Sequence, residues 1–460
     1  MRYTMTFLES DFNLLETHLR HSKNEKAAYL FARVVNTPDE TRLLVYEVSP
    51  VFAYEIDSQS PIGLSIPSRS YVNAIKKSRL DKSAFIFVHS HPTGPMGFSV
   101  QDDHEESILF EFANRRNMQP VHASLVASNG ATCFRGRVWL SDGTTAPVEL
   151  IRVIGDRWRF FFCQDENVPI PEYFDRQVKA FGTEFQQLLS RLHIGIVGAG
   201  GTGSAVAEQL TRLGVGRLTI IDHDCFDDSN VNRVYGSRVM DKDIPKVTIV
   251  ARHAEEIGLG TRVIPIQKHL GFKSVAKKLR DCDLVFGCTD DQWGRSVLSR
   301  LAIYYIIPII DLGVIIDPER ETIRAVTGRV TILQPGYACL YCRERITAEG
   351  VASESISISD PNRADALAAE GYIPGVQMPA PAVVSFTSAI ASAAIAEFID
   401  RVIGYKTSES KSSEFIHRFD ADAISRNTRP SRVDCFCSDR TLWGAGDRKL
   451  FLGITWRQES

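Results

Sequence analysis

The sequence predicts an α/β protein of two folded units, a smaller α+β unit followed by one built on a parallel, doubly wound sheet. Three observations carry that expectation. From about residue 172 to 404, apolar strand-like runs alternate with helical patterns, as a sheet covered by helices requires. The stretch 194–204 (IGIVGAGGTGS) runs a short apolar strand into a glycine cluster and on into the helical pattern Ala205–Leu213. Finally, 460 residues are too many for one ordinary core.

In chain order, residues 1–150 form the first unit. A helical pattern at Ser10–Arg20 precedes apolar strands at Ala28–Val35, Arg42–Ser49 and Ala84–His89. A helical segment, Asp102–Arg115, and strands near Ala123–Ala127 and Arg135–Leu140 complete it. Residues 151–171 read as a connector, whose Pro169 and Pro171 favour an extended crossing. The second unit, 172–404, takes its strands from Ile194–Val197, Leu218–Asp222, Val263–Ile266, Leu284–Gly287 and Ile307–Leu312, and the alanine-rich run Ala382–Ile399 is a long helix packed on them. In the tail, 405–460, Lys406–Glu414 has no apolar periodicity and reads as a surface loop, and Phe415–Ser460 returns to strand-like patterns.

Composition narrows the class. With 44% hydrophobic and 24% charged residues the chain has a soluble globular make-up, and a net charge of −3 argues against general nucleic-acid binding. No apolar run is long enough to span a bilayer, and the N-terminus lacks a signal-peptide core, so the expected compartment is the cytoplasm. Four of nine cysteines fall in two tight pairs, a pattern of metal binding or catalysis rather than of a disulfide framework.

The most specific motif is His89-Ser90-His91, followed by Ser99 and Asp102. Two imidazoles at a strand end broken by Pro92 and Gly94, with a carboxylate from the next helix, leave a fourth tetrahedral position open. That is the pattern of a catalytic zinc, which lowers the pKa of water to about 7. Ser99 is placed to donate to the oxyanion of a tetrahedral intermediate. The pattern resembles the JAMM (JAB/MPN) metalloprotease family, H-[ST]-H-x7-S-x2-D with a Glu well upstream. The resemblance implies a general acid/base at the start of a strand, which Glu25 fits best; Glu16 or Glu9 takes its place if the strand lies elsewhere. It also implies cleavage of peptide or isopeptide bonds after the C-terminal glycine of ubiquitin-like or sulfur-carrier proteins. His104 and His122 read as structural or exposed.

Gly198, Gly200 and Gly203 fit G-x-G-x-x-G, with Gly201 a fourth glycine, and so read as a phosphate cradle at a helix N-terminus. Asp222 follows the second strand near the offset of a ribose-binding carboxylate. Asp224, Ser229, Asn230, Arg233 and Lys246 follow it, and a cationic pair there suits a triphosphate and nucleotidyl transfer better than a dinucleotide. Over roughly 172–404 and part of the tail, the chain resembles the ThiF/MoeB and ubiquitin-activating superfamily, with a Rossmann-like adenylation domain. That resemblance implies ATP and Mg2+ as cofactors, Arg233 and Lys246 on the phosphates and Asp290 with magnesium. It implies that Arg176 reaches the nucleotide of a neighbouring subunit in a homodimer. The reaction implied is adenylation of the C-terminal glycine of a ubiquitin-like or sulfur-carrier protein.

Cys339 and Cys342, with Cys435 and Cys437, supply four sulfurs for a structural zinc that ties the tail to the nucleotide unit. No cysteine occurs from Arg343 to Asp434, the loop 371–380 included, where relatives that pass the acyl group on as a thioester carry one. The expectation is a bifunctional enzyme of a bacterial ubiquitin-like conjugation pathway, with phage defence as its context and a conjugating enzyme as a further partner. Sulfur-carrier metabolism is the alternative, and a non-catalytic module that binds a small modifier is another.

Overall fold

In the computed structural model, which describes residues 1–20, 22–93, 96–128, 130–163, 169–319, 322–359, 381–407 and 412–456, the chain divides into two units. The first is Met1–Asn167 with Trp443–Phe451; the second is Val168–Leu442 with Leu452–Ser460.

Alternation builds the first unit. In the strand Ala27–Asn36, Ala28, Leu30 and Ala32 face one apolar cluster, whereas Ala27, Tyr29 and Phe31 face another. The helix Glu9–Leu19 covers the first face through Phe12, Leu15 and Leu19. The helices Ser68–Leu80 and Val100–Arg116 supply Ala74, Ile75, Phe110 and Ala113 to the second. Nine strands make the sheet, in the order Arg159–Phe162, Leu150–Ile154, Arg2–Leu8, Glu40–Pro50, Ala27–Asn36, Ala84–His91, Val121–Ser128, Cys133–Leu140 and Thr145–Pro147.

Two sequence expectations need correction here. The segment 151–171 is not simply a connector: Leu150–Ile154 pairs in parallel with Arg2–Leu8, and Arg159–Phe162 adds a further strand. Both runs are short and are separated by the charged turn around Asp156, with fully buried Trp158 between them, and their pairing makes them sheet. The tail is not one piece either. Trp443–Phe451 belongs to the first unit, where the Trp443 carbonyl accepts from Arg33 Nη1 at 3.2 Å and Gly446 lies against Val35 and Leu44.

The second unit has eight strands, in the order Arg262–Ile266, Arg217–Ile221, His193–Val197, Leu284–Gly287, Ile309–Glu319, Thr322–Leu333, Glu414–Arg418 and Ala423–Arg426. The first five run parallel, as the Rossmann-like pattern predicts, and the last three are antiparallel. His193–Val197 pairs on both sides with parallel strands, so the chain order reverses there, the topology in which ligands are held beyond the C-terminal ends of the strands. The alanine-rich helix runs Val384–Ile403, set against the helix Gly201–Leu213 and the sheet. Part of the expected loop Lys406–Glu414 lies outside the described residues; its last residue is buried and opens a strand. Beyond Arg426 the strand-like patterns resolve into short 3-10 turns. No helix among the described residues is long and apolar enough to cross a membrane.

Buried charge is compensated in the first sheet. Glu40 accepts from Arg42 Nε at 2.8 Å and Arg152 Nη1 at 3.0 Å, all three side chains being almost fully enclosed. Burial opposes ionisation of Glu40, but the two guanidiniums outweigh it and hold its carboxyl well below the usual range. Because the folded-state value is depressed, the stabilisation is present above the unfolded value and fades as pH falls below it. Glu40→Ala should lower stability by about 3–5 kcal/mol, since it removes the carboxylate that two buried guanidiniums share. Urea denaturation at neutral pH checks this, and the gap between wild type and variant should narrow in acid.

Candidate functional sites

Strand register assembles the first site. Ala27 pairs antiparallel with His89, so continuing the register by two residues brings Glu25 opposite His91. Lys26 and Ser90 hold that end closed: Ser90 N donates to the Lys26 carbonyl at 2.9 Å, and Lys26 N to Ser90 Oγ at 3.0 Å. Past the strand, Ser99 caps the helix Val100–Arg116 in a capping box with Asp102. The Ser99 hydroxyl donates to Asp102 Oδ2 at 2.7 Å and the Ser99 amide donates to the same oxygen at 2.6 Å. These bonds aim the Asp102 carboxylate at the two histidines.

The ring nitrogens converge. His89 Nε2 stands 3.0 Å from His91 Nε2 and 3.1 Å from Asp102 Oδ1, and His91 Nε2 is 3.4 Å from Asp102 Oδ2. Glu25 Oε1 lies 4.0 Å from His91 Nε2. Two imidazole nitrogens on a tetrahedral zinc would be about 3.3 Å apart, so this donor set fits the ion. Burial pushes the Glu25 carboxyl up, against the pull of His89 and His91. Glu9 and Glu16 lie elsewhere: Glu9 accepts from the Asp156 amide at 2.7 Å, and Glu16 pairs with Arg20 and, at 3.2 Å, with Arg159. A cleft of about 660 Å³ opens beside the cluster, lined by Tyr29, Tyr71, Phe87 and Phe112. His104 is exposed; His122 is buried, bonded to the Phe85 amide and Asn117 carbonyl, and pushed down to about 4 by burial.

One neighbour of the cluster has no counterpart among the sequence expectations. Glu106 is one helical turn beyond Asp102, on the same face, and that i,i+4 spacing was the available signal. Its Oε2 accepts from Ser124 Oγ at 2.5 Å and from Arg137 Nη2 at 2.7 Å, while its Oε1 faces His89 Nδ1 at 3.8 Å.

The second site lies beyond the strand His193–Val197. Gly198 has φ +94°, and a Cβ there would meet the Cys288 carbonyl oxygen at 2.7 Å. A Cβ on Gly203 would sit 1.8 Å from the Gly198 carbonyl oxygen, so glycine is required where helix and loop touch. The helix Gly201–Leu213 follows, its first amides open to an anion, with Gly200 at its N-cap. Arg233 lies across this loop: a Cβ on Gly201 would come within 3.3 Å of its Cγ and Cδ. Asp222 Oδ2 accepts from the Ala199 amide at 2.5 Å and Oδ1 from the Asp224 amide at 2.8 Å, so loop and carboxylate position one another. Asn230 closes the short turn Asp228–Asn230, Asp227 caps it through the Ser229 amide, and the Ser229 carbonyl accepts from Arg233 Nη1. Lys246 Nζ donates to Asp224 Oδ2 at 2.6 Å. Asp291 is occupied as the N-cap of the helix Gln292–Tyr304, which leaves its neighbour Asp290 as the exposed carboxylate. Arg176 is exposed on the helix Asp175–Phe181.

Four buried sulfurs meet in the same unit. Cys339 lies 3.8 Å from Cys342 and 3.5 Å from Cys435, and Cys342 is 3.6 Å from Cys437. Tetrahedral thiolates on zinc are about 3.8 Å apart, so the C-x-C pair fits as well as the C-x2-C pair. Cys133, Cys163, Cys225, Cys282 and Cys288 lie apart from this cluster, and Cys282 packs in the sheet core.

A model of the ThiF family matches residues 174–437. Ubiquitin-like modifier-activating enzyme 7 of Homo sapiens is 25% identical over 243 residues, 46% of this chain and 22% of that protein. The molybdopterin-synthase adenylyltransferase of Escherichia coli is 28% identical over 180 residues, 38% of this chain and 69% of the enzyme. Of solved structures, E. coli MccB with ATP superposes with a TM-score of 0.44 at 15% identity, over 58% of this chain and 74% of that one. The chain spans 22% and 40% of the first two curated relatives it matches. The family match covers more than half of the 460 residues, and the chain belongs to the ThiF family.

Proposed function

We propose that the chain is a bifunctional enzyme acting on a small ubiquitin-like or sulfur-carrier protein that ends in glycine. Its second unit adenylates that glycine with ATP, and its first unit, as a JAMM-type zinc peptidase, cuts the peptide or isopeptide bond that follows the same glycine. The observation that carries the reading is the pairing of two complete sites on one chain: Arg233 folded over a glycine cradle, and Glu25, His89, His91 and Asp102 gathered at one strand end.

In adenylation, an oxygen of the glycine carboxylate attacks the α-phosphorus of ATP, and the bond to the β-phosphate bridging oxygen breaks, releasing pyrophosphate. Two anions must meet, so cationic groups have to offset their charge. Arg233, already over the cradle, and Lys246 do this, with the open amides of Gly201–Leu213 on the phosphates and Asp222 on the ribose. Asp290 is the group that would hold magnesium, whose charge screens the triphosphate when bound. In the first unit His89, His91 and Asp102 would hold zinc, which supplies a Lewis acid and acidifies water. Glu25 takes a proton from the attacking water and returns it to the departing nitrogen. Ser99 gives its one proton to Asp102, so it serves first as the group that aims that ligand.

Sulfur transfer is the second reading, favoured by the lack of any cysteine from Arg343 to Asp434 to carry a thioester. Mass spectrometry of the modifier separates the two, by a thiocarboxylate or by a conjugate to lysine.

ATP–pyrophosphate exchange dependent on a glycine-terminated partner tests the second unit. Lys246→Ala should lower it about 10²–10³-fold; absence of exchange with every such partner would refute adenylation. Cleavage of a tail-extended modifier should disappear with His91→Ala and with a zinc chelator, and activity surviving both would exclude the metal mechanism. If Arg176 serves the nucleotide of a second copy in a homodimer, Arg176→Ala and Lys246→Ala proteins should each be impaired yet regain exchange when mixed. Failure to complement would place Arg176 outside the nucleotide site.

A further inference from the structure

Two buried polar atoms in the first unit face each other without a hydrogen bond. His89 and Glu106 are each 3% exposed, and neither His89 Nδ1 nor Glu106 Oε1 has a hydrogen-bond partner. They stand 3.8 Å apart, just beyond bonding distance. Buried polar groups are nearly always paired, so an isolated facing pair calls for an explanation.

The rest of Glu106 is fixed. Oε2 accepts from Ser124 Oγ at 2.5 Å, Arg137 Nε at 3.1 Å and Arg137 Nη2 at 2.7 Å. Ser124 Oγ accepts in turn from Trp139 Nε1 at 3.2 Å, and the Arg137 guanidinium lies over the rings of Phe98 and Trp139. Three donors hold one oxygen, and the other faces His89. Its ring is confined as well, packed against Phe87 on one side and His91 on the other.

We propose that Glu106 is the positioning residue of the metal centre: its Oε1 accepts the proton of His89 Nδ1 and so keeps Nε2 bare for the ion. The proposal rests on the zinc reading of the first unit. A neutral imidazole carries its proton on one nitrogen, and whichever nitrogen the protein engages as donor decides which one can bind metal. Among the described residues no group hydrogen-bonds to His89 Nδ1, and this carboxylate is the one that faces it and so selects the tautomer. Asp102 and Glu106, one turn apart on one helix, thereby act on the same site in different ways: the first supplies a ligand oxygen, the second orients a ligand nitrogen.

Glu106→Gln tests the idea with little change of shape. The amide oxygen would take the place of Oε2 among its three donors, which turns the amide NH2 toward His89. A donor there stabilises the other tautomer, with Nε2 protonated and turned against the ion. In zinc-loaded full-length protein titrated with a chelator, wild type should release two zinc ions in separate steps. Glu106→Gln should lose the histidine-bound ion at about 10–100-fold lower chelator strength. The cysteine-bound ion, held in the second unit, should leave as in wild type and so serves as the internal reference of the titration, and Glu106→Asp should recover part of the loss.

A second measurement needs no variant: ring-nitrogen NMR of zinc-free wild type should find His89 protonated at Nδ1. A bare Nδ1, or unchanged zinc release from Glu106→Gln, would overturn the proposal. Wild type that releases only the cysteine-bound ion, with His91→Ala no different, would instead refute the zinc reading itself.

Discussion

The antiparallel pairing of Ala27 with His89 governs the chemistry of the first unit more than any side-chain contact does. A strand alternates its faces, so one step of slippage would turn Glu25 away from His91 and exchange the apolar contents of the two faces. Large buried groups on both faces resist that slip, with Leu30 and Phe12 on one and Tyr29 and Phe110 on the other. The cluster inherits its precision from the apolar core packed on both faces of the strand. The capping of Val100–Arg116 by Ser99 then fixes the carboxylate relative to the strand.

Loop and anion chemistry organise the second unit in a different manner. Its ligand-facing groups are already engaged with one another: Asp222 with the glycine loop, Lys246 with Asp224, Arg233 with the Ser229 carbonyl. Burial pushes the Asp222 carboxyl up while the two amides it accepts from work against that. A ligand bound among these groups would replace bonds that exist instead of ordering loose side chains. Less conformational freedom would be lost at binding for that reason.

Most of this was legible in residues that share a short motif or a strong period. H-x-H, the glycine loop and the paired cysteines announce themselves because several ligands must come from a few adjacent positions. Glu106 was hidden because its partner, His89, sits on another element and only the packed fold brings them together. The choice of Glu25 over Glu9 and Glu16 likewise needed a register that sequence spacing leaves open. Leu150–Ile154 and Arg159–Phe162 were hard to read for a third reason. Runs of four or five residues carry too few alternations to tell strand from connector, and tertiary pairing decides.

The piece Trp443–Phe451 bears on how the molecule is made. It packs into the first unit through Arg33, Val35 and Leu44, although more than two hundred residues of the second unit precede it in the chain. A ribosome delivers the chain in order, so the sheet of the first unit emerges early and waits, one segment short, until the second unit has been synthesised. The last apolar contacts of the first unit close only then. Completion of the first unit thus waits on synthesis of the second, and the two halves mature as one product rather than as independent beads.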